Sequence, residues 1–251
     1  MIARLDLAAI AELKEALPRF THKPLAHLSY LRPDQVDGYW LDEIAQDLSD
    51  EFSVAFVSRN LKLIDGLALY ADSSWDTKAV RRRIAVIKYI AAVDCRRDSE
   101  LLHGLLGKVV QHAAKRGMDC LTCRVQALDC AAIHALERHG FRLMDTLLDF
   151  VFDSSRTPLG SIRVPKQPNG SRVRPAKPED LPEILALTEK TFATYFGRYH
   201  SDPKMLPGTG AKVYDEWVRS SLEAGQTVSL LPRLMIELRV TRCGKSPLSW
   251  N

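Results

Sequence analysis

Between Ile84 and Asp153 the apolar positions fall in runs whose period switches between strand and helix. Residues 84–93, IAVIKYIAAV, are rich in Ile and Val, free of Gly and Pro, and polar only at Lys88 and Tyr89. Such a run suits a strand covered on both faces. Asp98 or Ser99 then offers a side-chain oxygen to the free amides of a first helical turn. From there Leu101, Leu102, Leu105, Leu106, Val109, Val110, Ala113 and Ala114 recur at the helical period and give one broad apolar face. Lys115 and Arg116 suit the negative end of that helix, and Gly117 supplies a left-handed stop. CLTCRV (120–125) predicts the next strand. Asp129 caps a second helix over AAIHALERH, which stops at Gly140, and residues 141–152 return as a strand.

Upstream, residues 7–17 are helical by period as far as Pro18, Pro24 and Pro33 break the stretch 19–37, and residues 39–48 give a short helix. SVAFVS and LKLIDGLALYA predict two strands with a turn near Arg59 and Asn60. SSWDTKAV (73–80) reads as a surface loop anchored by Trp75. Downstream, residues 154–171 turn to Ser, Pro, Gly and Lys, the composition of a linker. VRPA after it predicts a short strand. A helix then starts at Glu179 or Asp180, with Pro182 in its first turn and Ile184, Leu185, Leu187, Thr188 and Phe192 on its buried side.

The order strand, loop, helix ending AKRG, strand, then D-C-A-A-I-x-x-L-E-R-H-G-F resembles the second half of a GCN5-related N-acetyltransferase domain. Ala131, Ala132, Ile133, Glu137, Gly140 and Phe141 carry the likeness, matching that family's N-x-x-A-I-x-x-Y-E-K-x-G-F. Two helices and a pair of strands before it complete the family's element order. The expectation is therefore an α/β fold, a mixed sheet flanked by helices, over residues 1–153. A linker (154–171), the start of a second such module (172–225) and an atypical tail (226–251) follow. SSWDTKAV is similar to the W-D-S-x-F-F-G segment of bacterial dTDP-fucosamine acetyltransferases. RYHSDPKMLPGTGAKVYDEWVRSSL is similar to the R-x-H-x-D-P loop and Y-x-x-W helix of their catalytic module, here with Tyr214 and Trp217. Within 226–251, LMIELRV suits a strand, but Pro232 and a basic, patternless end differ from the family. Truncation or a shifted reading frame would each produce such an ending.

Composition adds few alternatives. At 251 residues and 46% hydrophobic the chain can bury a sizeable core, and its net charge of +4 is spread along it apart from Arg81, Arg82 and Arg83. A basic cluster without interleaved aromatics does not make a nucleic-acid face. Five cysteines with no leader pattern suggest reduced thiols in the cytoplasm. Cys120 and Cys123, three apart on a strand, point to opposite faces and cannot clamp a metal. The amino-terminal stretch reads as an amphipathic helix rather than a membrane segment.

The resemblance implies acetyl-CoA as co-substrate, a small-molecule amine as acceptor, in particular an amine on a nucleotide sugar, and neither metal, membrane nor nucleic acid. In that family acyl-CoA lies along the central strand, its diphosphate held by backbone amides of a Q/R-x-x-G-x-G/A loop, where glycine lets the backbone approach the phosphates. The implied coenzyme contacts are Val93, Arg96, Arg97, Ser99 and Asp129, although Asp129 as a plain helix cap accounts equally for its place. Both glycine positions are filled, by Glu100 and Leu102, and Glu100 sets a negative charge where the diphosphate would sit. Leu136 stands where the family often has a proton-donating Tyr, so no residue is assigned to proton transfer. Arg198, His200 and Asp202 form the candidate substrate loop, with a capped turn before Pro203 as the alternative. His103, His112, His134 and His139 read as surface or half-buried helix residues rather than ligands or bases. RCGKS (242–246) lacks the first glycine of a P-loop.

Overall fold

Side chains alternate across a strand, so the numbering parity of buried residues states which layer each one joins. The computed structural model describes residues 1–28, 30–93, 99–148, 156–161, 163, 174–193 and 195–223, and the backbone of 236–243. The elements are β1 (Ile2–Leu5), α1 (Ile10–Ala16), α2 (Pro33–Leu48), β2 (Ser53–Asn60), β3 (Leu63–Asp72), α3 (Ser74–Val80), β4 (Ile84–Ala92), α4 (Ser99–Lys115), β5 (Cys120–Gln126), α5 (Cys130–Arg138), β6 (Arg142–Leu148), α6 (Leu181–Phe192), α7 (Arg198–Ser201), α8 (Thr209–Glu223) and β7 (Ile236–Cys243). The chain divides into two units, Met1–Thr146 with Glu237–Asn251, and Leu147–Ile236.

The first unit is the expected α/β architecture, a mixed sheet flanked by helices. Its strand order is β1-β2-β3-β4-β5-β7-β6. Strands β1 to β4 pair antiparallel, β4 and β5 parallel, and β5 and β7 antiparallel. On one face Val54, Phe56, Ala68, Tyr70, Ala85 and Ile87 pack with Leu102, Leu105, Leu106 and Val109 of α4 and with Ala132, Ala135 and Leu136 of α5. On the other, Ala55, Val57, Leu67 and Leu69 pack with Leu13 of α1 and Trp40 and Ile44 of α2. At Gly66 a Cβ would fall inside contact distance of Leu101 Cδ2, so the glycine lets the first turn of α4 settle on β3.

Several boundaries differ from expectation for identifiable reasons. Ile2–Leu5, read as the start of a helix, is a strand paired with Ala55–Ser58. Pro33 begins a helix rather than breaking one, because the first helical position has no partner for the missing N–H. The β2–β3 turn falls two residues later than expected, at Leu61 and Lys62, both with positive φ (48° and 72°). That geometry usually selects Asn-Gly, which is why this turn was hidden. Residues 74–80 are helix, not loop, with the Ser73 hydroxyl accepting from the Asp76 amide. Ending the first module at residue 153 also leaves out β7, whose Glu237–Cys243 pair with Cys120–Gln126 although they come from the stretch read as tail. Its partner lies at the far end of the chain, and local periodicity cannot show that. The strand expected over 141–152 is described only to Leu148, and the remainder lies outside the described residues.

The central strand carries one extra residue. Pairing with β3 runs from Ala85 to Ile87 opposite Asp72 to Tyr70, then resumes with Tyr89 opposite Leu69, so Lys88 is left over. The parity of the strand changes there. Ala85 and Ile87 face α4, and beyond the bulge Ile90 and Ala92 do. Lys88 and Tyr89, although adjacent, both reach α2, where Lys88 Nζ meets Asp47 Oδ1 at 2.5 Å and Tyr89 Oη donates to Glu43 Oε2 at 2.8 Å. A bulge bends its strand and disrupts the ladder locally. The parallel β4–β5 ladder indeed covers only Ile84–Ile87 with Cys120–Cys123.

The second unit contains α6, α7 and α8. Phe192 of α6 stacks on Tyr214 of α8 with centroids 3.8 Å apart. Of the short strand expected over VRPA (173–176), Val173 lies outside the described residues and 174–176 form no strand, and Leu187 is exposed where it was expected on the buried side of α6. Thr188 is the α6 residue that is buried.

Tyr89→Phe, which strands the Glu43 carboxylate beside an apolar ring, is expected to lower the free energy of unfolding by about 1–3 kcal/mol. Adding Glu43→Gln should recover part of that loss. Urea denaturation of the two single variants and the double variant measures the coupling, and strict additivity of the two losses would contradict the pairing.

Candidate functional site in the parted strands

Past Ile87 and Cys123 the ends of β4 and β5 no longer pair with each other, and their facing backbone groups are available to other partners. The Val93 amide donates to the Asp65 carbonyl at 2.9 Å, on the β3 side. Backbone groups alternate along a strand, so those of Ala92 turn to the β5 side. The Ala92 carbonyl accepts from the Thr21 amide at 3.5 Å and from the Thr21 hydroxyl at 3.4 Å. Across the gap, Gln126 Nε2 at the end of β5 donates to the Lys23 carbonyl at 3.1 Å. The segment Thr21–Lys23, between α1 and α2, thus touches both strand ends. Lys23 Nζ is tied to Asp37 Oδ1 of α2 at 2.6 Å, which fixes the segment from behind.

His22 sits at the centre of this segment. Its Nδ1 lies 3.4 Å from Gln126 Oε1, and its Nε2 lies 4.0 Å from Asp129 Oδ1. Asp129 is buried and accepts from the Ala132 amide at 3.0 Å, which confirms it as the cap of α5. Burial pushes its carboxyl above the usual carboxylate range, against the opposing pull of the Ala132 amide and of His22. Sequence reasoning missed His22, Thr21 and Gln126 because they lie in or beside a stretch with no period. Only the closing of the loop onto β4 and β5 brings them together.

The implied coenzyme residues are distributed as follows. Val93, Ser99 and Asp129 stand at the end of β4, the start of α4 and the start of α5. Arg96 and Arg97 lie outside the described residues. Glu100, in the first turn of α4, turns to Arg138 of α5, with Nη1 to Oε1 at 2.6 Å and Nη2 to Oε2 at 3.5 Å. Arg138 holds the Glu100 carboxyl below the usual carboxylate range, and its guanidinium offsets that charge at the helix start. Leu102 and Leu136 are buried in the α4–α5 core, so neither serves as a polar contact.

Arg198, His200 and Asp202 belong to the second unit and are described by themselves. Arg198–Ser201 form the short α7, and Asp202 Oδ1 accepts from the Lys204 amide at 2.9 Å, the capped turn weighed as the alternative. His200 meets Tyr195 edge-on and lies parallel to Tyr214, each with centroids 6.1 Å apart. Gly210 leaves the space that the His200 ring fills. The Arg198 guanidinium lies over the Tyr199 ring at 4.2 Å.

Of the helix histidines, His134 is exposed and the others have partners within the first unit. His112 Nδ1 lies 2.6 Å from Tyr70 Oη, and burial together with Arg116 lowers its affinity for a proton. His103 and His139 stack at 4.2 Å. Among the described residues no group of three His, Cys, Asp or Glu side chains is placed to hold a metal ion. No described helix is long and apolar enough to cross a membrane.

No family model matches the chain. It is 22% identical over 192 residues to the spore coat polysaccharide biosynthesis protein SpsD of Bacillus subtilis (strain 168), a match covering 76% of this chain and 61% of that protein. The chain thus matches less than two thirds of the length of this curated relative. Among solved structures, it is similar to a GNAT-family acetyltransferase from Streptococcus pneumoniae, with 20% identity, 61% of this chain and 91% of that one covered, and a TM-score of 0.44. It is also similar to the ribosomal-protein-S18-alanine N-acetyltransferase of Escherichia coli, with 18% identity, 62% and 85% covered, and a TM-score of 0.44.

A carboxyl whose folded pKa is raised costs stability above that value, and the cost is relieved as pH falls through it toward the unfolded value. Asp129→Asn keeps an oxygen for the Ala132 amide, so it is expected to be at least as stable as the parent at pH 7 and to lose that advantage at pH 4. Asp129→Ala removes the cap and is expected to be about 0.5–2 kcal/mol less stable than Asp129→Asn. Urea unfolding at the two pH values distinguishes these outcomes.

Proposed function

We propose that the chain is a GCN5-related N-acetyltransferase-type protein that transfers acetyl from acetyl-CoA to a primary amine, with an amine on a nucleotide-linked sugar as the acceptor. The observation that carries this reading is the parting of β4 and β5 beyond the Lys88 bulge. Two strand ends that no longer pair with each other leave backbone groups, beyond the Ala92 carbonyl held by Thr21, to an extended ligand bearing amide groups, which is the chemistry of the coenzyme A arm. Val93, Thr21 and Gln126 would line the arm, and Ser99 with Asp129 would stand at the helix starts beside it. Arg96 and Arg97 remain the proposed diphosphate partners. Acetyl-CoA supplies the activated acyl group. The protein's part is to hold the amine against it and to exclude water.

The acceptor class rests on the motif likeness to dTDP-fucosamine acetyltransferases, and the relationship to a polysaccharide biosynthesis protein agrees with it. The residues 172–225 are read as the start of a second module, with Arg198, His200 and Asp202 as its substrate loop. A cytoplasmic location accords with such a substrate.

A second reading is a non-catalytic scaffold of the same architecture. It is favoured by Glu100 and Leu102 in the two glycine positions and by apolar Leu136 in place of a proton donor. Isothermal titration with acetyl-CoA separates the readings. Micromolar binding supports transfer chemistry, and no heat at millimolar coenzyme supports the scaffold.

A further inference from the structure

We infer that His22 is the acid–base residue of the parted-strand site, accepting at Nε2 the proton that an acceptor ammonium must lose before it attacks. The inference rests on the acetyltransferase reading and names a residue for a role that neither strand motif nor helix motif supplies.

The ring's tautomer follows from its neighbours. Gln126 is oriented by the Lys23 carbonyl, which must receive an N–H, so Nε2 of Gln126 faces Lys23 and Oε1 faces His22. An amide oxygen accepts, so His22 Nδ1 carries the proton in the neutral ring. The lone pair is thereby left on Nε2. That atom looks toward Asp129 Oδ1 at 4.0 Å, too far for a direct hydrogen bond but close enough to stabilise the imidazolium once it forms. Asp129 is itself held by the Ala132 amide, and the Thr21 contacts with Ala92 hold the loop to the other strand end. The ring is about a quarter exposed, its side chain at 23%, so a substrate nitrogen can reach it. Lys23, the neighbouring cation, is turned away and paired with Asp37. Gln126 and Asp129 thus act as positioning residues, and His22 is the group that touches the amine.

The proton balance is complete. The ammonium gives one proton to His22 Nε2, and the freed lone pair forms the C–N bond to the acyl carbon. The C–S bond breaks, a second N–H proton passes to the departing thiolate, and His22 returns its proton to solvent. The family's tyrosine position, filled here by Leu136, is not needed for this sequence of transfers.

The test uses the full chain labelled with 15N-histidine, the His22 signals being assigned with His22→Gln. The neutral ring is expected to carry its proton on Nδ1, Gln126→Leu is expected to abolish that preference, and acetyl-CoA is expected to shift the His22 ring resonances while leaving those of His112 in place. With acetyl-CoA and a dTDP-linked amino sugar, His22→Ala should lose about 10²–10⁴-fold in turnover at unchanged KM for acetyl-CoA, with partial rescue by added imidazole. An Nε2-protonated neutral ring, a ring unmoved by saturating acetyl-CoA, or a His22→Ala variant within threefold of the parent would overturn the assignment and leave the acetyltransferase reading standing. Absence of acetyl-CoA binding by calorimetry would overturn both.

Discussion

One surplus residue in the central strand governs the first unit. Lys88 has no opposite number on β3, and a strand with a residue too many must bulge, twist and change the parity of everything after it. The change is visible in the core, where Ala85 and Ile87 precede the bulge on the α4 face and Ile90 and Ala92 follow it there. It is stable because both displaced side chains find partners four residues apart on α2. Glu43 and Asp47 lie on one face of that helix, one turn from each other, so a single helix receives Lys88 and Tyr89 together. Without α2 in that register the bulge would leave a half-buried hydroxyl and an ammonium unpaired. With it, the bend that separates β4 from β5 is built into the packing.

The separation also explains how the loop between α1 and α2 is held. Continued in its register, the parallel ladder would set Gln126 opposite Ile90 and leave Ala92 opposite Leu128, beyond the end of β5. Since pairing stops at Ile87 and Cys123, the Ala92 carbonyl is satisfied by Thr21, and Gln126 reaches the Lys23 carbonyl. Backbone groups near a protein interior need partners, and here the chain finds them in a segment with two proline boundaries and little regular structure of its own. The site is thus a consequence of unfinished sheet pairing.

This bears on what the sequence disclosed. Helices α4 and α5, with a cap at Asp129 and left-handed stops at Gly117 and Gly140, were legible because helical period and capping chemistry are local. β4 was legible as a strand, and the polarity of Lys88 and Tyr89 inside an apolar run was its one irregularity. Two adjacent polar residues in a run buried on both faces are the signal of a bulge, but the signal says nothing about which helix receives them. β1 was obscured because IARL continues into a genuine helix, and β7 because its partner β5 is remote in sequence. His22 was illegible for the same reason: a histidine in a patternless loop acquires meaning only from Gln126 and Asp129, which the fold delivers from more than a hundred positions away. In the second unit the periodicity of α6 pointed correctly to a helix, yet Leu187 is exposed. The described helices there bury little beyond Thr188, Thr209, Gly210 and Val213, so period alone did not say which side would be covered.

Glu100 and Leu102, which stand at the glycine positions of the resembled loop, take on a different weight once the helices are in place. Glu100 in the first turn of α4 sits where the helix dipole favours negative charge, and an anionic ligand at the same end would compete with it. The Arg138 fork removes much of that conflict, since it draws the carboxylate toward α5 and leaves a compact ion pair instead of a bare anion. Leu102 is a packing residue of the α4 core whose backbone is already helical, so its side chain points into the sheet layer rather than toward a ligand at the helix start. What the two residues deny is the glycine-dependent close approach of backbone to phosphate. Any diphosphate held here would have to rely on side-chain cations before Ser99 and on the amides of the first turn. That arrangement trades the geometric specificity of a glycine loop for charge, and charge-based binding is weakened by salt to a degree that a backbone cradle is not.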